Sequence, residues 1–164
     1  MLAVLYQGLE YTLEASGAYR GTIHGKTLVD CCNPVETKLF TLVPYVEGSL
    51  AQHVATRTGA WVAKAFNLAQ ADIWRRPPTY GGRPLVVPIA GHEPARDAAR
   101  LMVSAVGAAS VDVGGIEHAA YLEATAALVI ARLWGGDEAS TTFQLTTADD
   151  RLSADADHRL STPR

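Results

Sequence analysis

Along the chain, short apolar runs alternate with amphipathic stretches, and the two periods predict its elements. Met1 to Tyr6 is a continuous, mostly apolar run, the pattern of a strand buried on both faces, and Leu9 to Ala15 after it predicts one or two helical turns. Gly25 punctuates, and Thr27 to Asp30 predicts a second strand that stops at two cysteines and an Asn-Pro pair. Pro34, Pro44 and Gly48 frame an irregular stretch. Ser49 then predicts the cap of a helix through about Thr58, with Leu50 and Val54 on one face and Gly59 as its stop. Trp61 to Phe66 predicts a third strand, Asn67 the N-cap of a short helix to Trp74, and Arg75 to Gly82 a loop. Leu85 to Ala90 predicts a fourth strand whose Pro88 points to an edge position or a bulge.

The clearest helical pattern follows, with Pro94 in the first turn, apolar residues at Ala98, Leu101, Met102, Ala105 and Val106, and Gly107 at the end. Ser110 to Val113 predicts a short last strand. Ile116 to Trp134 predicts a long Ala-rich helix ended by Gly135-Gly136, apolar on most sides from Ala124 onward, as in a helix buried in its own core or against a second chain. Beyond Phe143 the residues turn to Asp, Ser, Thr, Arg and Ala, so the expected organisation is one domain over 1–145 and a mobile tail over 146–164. Short buried strands separated by helices predict an α/β fold, a parallel sheet flanked by helices, in which ligands bind beyond the carboxyl ends of the strands. Asp30 to Val35 and Ala65 to Leu68 are both carboxyl-end segments and are expected to face one crevice.

Composition narrows the function. With 164 residues, 48% of them hydrophobic, the chain can bury one substantial core. Its net charge of -3 and its scattered Lys and Arg give no attraction to a phosphate backbone, so nucleic acid is not an expected partner. Cys31 and Cys32 are adjacent, without the spacing of a redox or zinc pair, and read as buried small hydrophobes in a cytoplasmic protein. The longest apolar run, Ala124 to Ile130, is far short of the ~20 residues of a membrane span. No histidine has a partner at metal-ligand spacing, so no metal is expected.

Four titratable residues stand out near the expected crevice: Asp30, Lys64, Glu117 and His118, with Tyr6 a weaker fifth. Each has a structural alternative. Asp30 can pair or cap at a strand end, Lys64 can be a solvated lysine, and Glu117 and His118 can serve the first turn of the long helix.

The segments KTLVDCCNPV, SLAQHVA, AWVAKAFNLAQADI and LVVPIAGHEPARDAARLMVSAVGAASVDVGGIEHAAYLEATAALVI resemble, in order and spacing, the latter part of the NADP-dependent deazaflavin (coenzyme F-420) reductases and their oxidoreductase relatives. The resemblance implies a Rossmann-like fold and hydride transfer between nicotinamide and deazaflavin. It places Asn33, Pro34, Val35, Lys64, Ala65, Phe66 and Asn67 at the nicotinamide end of the crevice. Members of that family open with a strand, a GxGxxG turn and a helix that hold the pyrophosphate. No GxGxxG occurs here, and the expectation is a truncated Rossmann-like domain that begins within the family's fourth strand, with Tyr6-Gln7 where relatives carry Pro and an aromatic residue.

Three readings follow. The leading one is an oxidoreductase that keeps the NADP and deazaflavin pockets and completes its crevice from a second subunit. The second is a biosynthetic cyclase, isomerase or dehydratase on a repurposed scaffold, for which Asp30, Lys64 and His118 are the catalytic candidates. The third is a catalytically silent small-molecule-binding module. An apolar strand at Leu2 to Tyr6 would leave an exposed edge, which predicts a homodimer.

Overall fold

The computed structural model describes residues 1–80 and 82–136. The chain divides into two compact units, Met1–Ala131 and Arg132–Arg164, and the first carries the sheet. The elements are α1 (Leu9–Ala15), β1 (Thr27–Asp30), α2 (Leu50–Thr58), β2 (Trp61–Lys64), β3 (Thr79–Tyr80), β4 (Arg83–Pro84), β5 (Val86–Gly91), α3 (Glu93–Ala105), β6 (Ala109–Gly114) and α4 (Ala119–Trp134). The change expected at residue 146 lies outside the described residues.

The main sheet has the order β1-β2-β5-β6 and is covered on both faces. Successive β2 residues alternate between two cores. Val62 packs with Leu9, Leu13, Leu50, Val54 and Leu122. Ala63 packs with Val87, Ile89, Ala95, Ala99 and Val103, the buried face of α3 among them. The α/β sheet flanked by helices expected from the sequence is therefore the observed architecture, and the long C-terminal helix is present, entered through a 3-10 turn at Ile116–His118.

The sheet is not parallel throughout. β1 and β2 are parallel, as are β5 and β6, but β2 and β5 run antiparallel through only two residue pairs, Ala63 with Gly91 and Lys64 with Ala90. The reason lies in the linker: no long helix spans Ala65 to Leu85, only a 3-10 turn at Ala71–Arg75 and the β3-β4 hairpin, so the chain returns without crossing over the sheet. The short helix expected from Asn67 to Trp74 is reduced to that 3-10 turn.

Gly91 makes the seam possible. Its φ is 156°, and a Cβ there would overlap backbone atoms of Val62 and Ala63. Pro88 also finds its explanation: β5 meets β2 only at its last two residues, so at Pro88 the flank toward β2 carries no ladder, and a register irregularity follows at Ile89/Ala90.

The expected strand at Met1–Tyr6 shortens to a parallel bridge between Leu2 and Asp30, held by Leu2 N–H to Val29 O at 2.7 Å and Cys31 N–H to Leu2 O at 2.9 Å. Tyr6–Gly8 is already a 3-10 turn. The third strand ends at Lys64 because Phe66, with φ 63°, turns the chain into the left-handed region.

Candidate functional site

Asp30 and Lys64 are the last residues of two neighbouring parallel strands and face each other in register. Their side chains are closed off from solvent, with 0% exposure for each. The Lys64 ammonium donates to Asp30 Oδ2 at 2.5 Å and to the Cys32 carbonyl at 2.8 Å, and Glu123 Oε1 lies 2.9 Å from it. Three N–H donors thus meet three acceptors.

Burial works against the charged amine, but the carboxylates of Asp30 and Glu123 outweigh it and hold Lys64 above its ordinary value. Asp30 Oδ1 in turn accepts from Cys32 N–H at 2.8 Å. Glu123, on α4, accepts from the first-turn N–H groups of α2, Leu50 at 2.9 Å and Ala51 at 3.1 Å, where a carboxylate also complements the helix dipole. Glu123 was not singled out from the sequence. It had a signal, as the one charged residue between His118 and Arg132 in an otherwise apolar helix.

Asn33 and Asn67 lie side by side. Asn33 Nδ2 donates to the Asn67 carbonyl at 2.8 Å, and Asn67 Nδ2 donates to Asn33 Oδ1 and to the Leu122 carbonyl, both at 3.0 Å. The two carboxyl-end loops are therefore stitched to each other and to α4. Pro34 and Val35 are buried behind Asn33 and lead into a narrow turn, with Val43 N–H donating to Pro34 O at 2.7 Å and Val35 bridging Leu42. Ala65 is buried, its N–H donating to the Asp30 carbonyl at 3.1 Å.

Beside this stitching lies a cavity of about 470 Å³. Phe66, Trp74, Met102, Val106 and Cys31 form its walls, and the segment from Ala3 to Leu5 borders it. Phe66 and Trp74 meet edge to face, with centroids 4.9 Å apart. Both also line a smaller cavity of about 80 Å³ that Asn67 borders. The larger cavity follows directly on the ends of β1 and β2, and among the described residues no Asp, Glu, Lys, Arg or His side chain lines it.

His118 and Tyr6 are elsewhere. The His118 ring packs on Gly114 and meets Tyr121 at 5.5 Å, and its Nδ1, 3.2 Å from Glu117 Oε1, makes no hydrogen bond. The Tyr6 hydroxyl is 2.9 Å from that of Tyr45. Neither residue lines the large cavity.

The two cysteines are free thiols. Burial first, and the nearby Asp30 carboxylate second, push each up to about 12. At pH 8 the thiolate fraction would be about one part in ten thousand, so alkylation of the native chain by iodoacetamide should be slower by orders of magnitude than in urea. Comparable rates in the two conditions would show that the native thiols are accessible and are not held protonated.

Neither a family model nor a curated protein sequence matches the chain. Solved structures do. The crystal structure of a protein from Arthrobacter sp. FB24 named as an F-420-dependent NADP reductase superposes with a TM-score of 0.68 at 28% identity, covering 82% of this chain and 62% of the other. A hypothetical protein from Sinorhizobium meliloti superposes with a TM-score of 0.56 at 28% identity, covering 70% of this chain and 55% of its own. The chain thus spans less than two thirds of the length of either neighbour. The likeness is that of a distant relation to an oxidoreductase.

Proposed function

We propose that the chain is the ring-binding part of a nicotinamide- and deazaflavin-linked oxidoreductase. The observation that carries this reading is the chemistry of the crevice wall. A cyclase, isomerase or dehydratase needs a titratable group within reach of its substrate. Among the described residues the large cavity has no ionisable side chain apart from the half-buried thiol of Cys31, and Asp30 and Lys64 are sealed behind it in full mutual pairing. Hydride transfer asks for the opposite, a dry apolar slot that holds two rings face to face, because the cofactors carry the chemistry.

The ring end of such a cofactor fits the cavity, with Phe66, Trp74, Met102 and Val106 to hold it and exclude water. Among the described residues the phosphate end finds no Lys or Arg side chain there. When bound, reduced nicotinamide supplies a hydride that a deazaflavin accepts together with a proton from solvent. The chain's own part is to hold the ring-facing loops in place: Asn33 and Asn67 tie them together, and the Asp30–Lys64–Glu123 cluster fixes the strand ends beneath them. A second copy of the chain that adds contacts at the edge of Leu2 belongs to the same proposal.

The test is turnover. Purified protein given NADPH and oxidised F-420 should consume both in equal amounts, and Asn33→Ala should lower the rate or the affinity about 10- to 100-fold while the fold survives. Absence of turnover together with absence of binding heat for either cofactor at millimolar concentration would overturn the reading.

A further inference from the structure

A groove of about 280 Å³ lies across the amino end of β2, at the opposite end of that strand from the crevice, and shares no lining residue with either of the other cavities. We infer that it is a second ligand site, which takes a small organic ammonium ion with an apolar or aromatic body. Part of the lining is small, Ala55, Gly59 and Ala60 at the end of α2, and the rest includes two rings, Trp61 and His92. The rings meet edge to face with centroids 5.2 Å apart, and Trp61, the first residue of β2, is 46% exposed. An indole left open in this way offers a cation the aromatic surface it prefers. The neighbouring imidazole adds no opposing charge. His92 Nδ1 accepts the Val62 N–H at 3.1 Å, which puts the ring's own proton on Nε2 and leaves it neutral. Among the described residues no other titratable side chain lines the groove.

The backbone supplies a second, independent observation. The groove receives the C-terminal end of α2, the negative end of a helix dipole. Gly59 N–H closes the last turn on Ala55 O at 2.9 Å, but Ala60 N–H, which would continue the ladder to Thr56 O, is given to Thr58 Oγ1 at 3.3 Å. Thr56 lines the groove, and its carbonyl is left to a donor from outside the chain. The start of α3 offers an anion little in exchange. Ala95 and Arg96 N–H both donate to His92 O, Pro94 has no N–H to give, and Glu93 brings a carboxylate to that turn. The groove therefore suits an ammonium group and disfavours a carboxylate or phosphate.

Basic residues in the adjoining turns oppose the inference. The Arg57 guanidinium is engaged over the Tyr19 ring at 5.1 Å, and His24 packs on Gly59. Lys26 is exposed, and physiological salt screens its charge within about 8 Å.

The experiment titrates the whole chain with three probes of one skeleton, benzylammonium, benzyl alcohol and benzoate, at about pH 8, above the ordinary histidine range. The indole N–H signal of Trp61 is followed by nitrogen-15 NMR, so that a probe entering the crevice does not count, and a Trp61→Phe chain assigns the signal. Benzylammonium should bind at least about fivefold more tightly than benzyl alcohol, and benzoate most weakly. Thr56→Lys, at an exposed position in the last turn of α2 where a lysine suits the dipole, should abolish the preference for the ammonium ion. Thermal unfolding without probe confirms that the variant is folded. Equal affinities for the ammonium ion and the alcohol, tighter binding of benzoate, or a Trp61 signal unmoved by any probe at tens of millimolar would each overturn the inference. So would an ammonium preference unaltered by Thr56→Lys. None of the probes exchanges hydride, so the result is independent of turnover with NADPH.

Discussion

Lys64→Ala is expected to destabilise the domain by about 3–5 kcal/mol, because it leaves the carboxylates of Asp30 and Glu123 buried without their cation. The loss should appear as a lower urea midpoint with an unchanged slope. Asp30→Asn should cost less, since the amide oxygen can still accept from Cys32 N–H and the Lys64–Glu123 pair remains. The pH dependence has a definite sign. Lys64 is held above its ordinary value in the folded chain, so its contribution is fully present below the unfolded value of about 10.4 and is lost as pH rises through the folded one. A Lys64→Met chain should lack that alkaline loss, and superimposable alkaline profiles for the two chains would remove Lys64 as its source.

Gly91→Val should be at least as damaging, on the order of 4 kcal/mol or more, and the chain is expected to fail to fold at 37 °C. The added carbons meet Ala63 Cα and the Val62 carbonyl, which are backbone atoms of the strand across the seam and cannot rotate away. The φ of 156° adds conformational strain for any L side chain. Gly107→Ala separates the two causes. Gly107 also has a positive φ, 79°, but a Cβ there meets nothing within 4 Å, so only the conformational cost of about 1–2 kcal/mol should appear. Equal losses at the two positions would mean that close approach is not what Gly91 provides.

Much of the fold was written in local patterns. Ser49 caps α2 as its position suggested, with Oγ accepting from Gln52 N–H at 3.1 Å, and Gly59 at φ 67° stops the helix. Pro94 opens α3, but the face it buries is Ala95, Ala99 and Val103, not the one read from the sequence: Leu101 and Ala105 are exposed, and Ala98, Met102 and Val106 are only partly buried. The antiparallel seam was not legible, because an apolar run such as Val86 to Ala90 has the same period in either direction and only the missing crossover helix reverses it.

The site was legible in part. The Asn-Pro and Phe-Asn segments do come together, because both follow the ends of adjacent strands. What the local pattern did not reveal was depth. Asp30 and Lys64 lie at strand ends, where an open crevice was expected, yet Glu123 arrives from α4 and closes the space above them. A contact between residues 64 and 123 has no signature in the spacing of either segment.

That long reach bears on how the chain is made. α2 and β2 leave the ribosome well before α4, yet the first amides of α2 find their acceptor in a carboxylate 73 and 72 residues further on. Until Glu123 is synthesised, those two N–H groups remain hydrated and Lys64 has one carboxylate in place of two. This half of the core therefore reaches its full hydrogen bonding only once α4 is present.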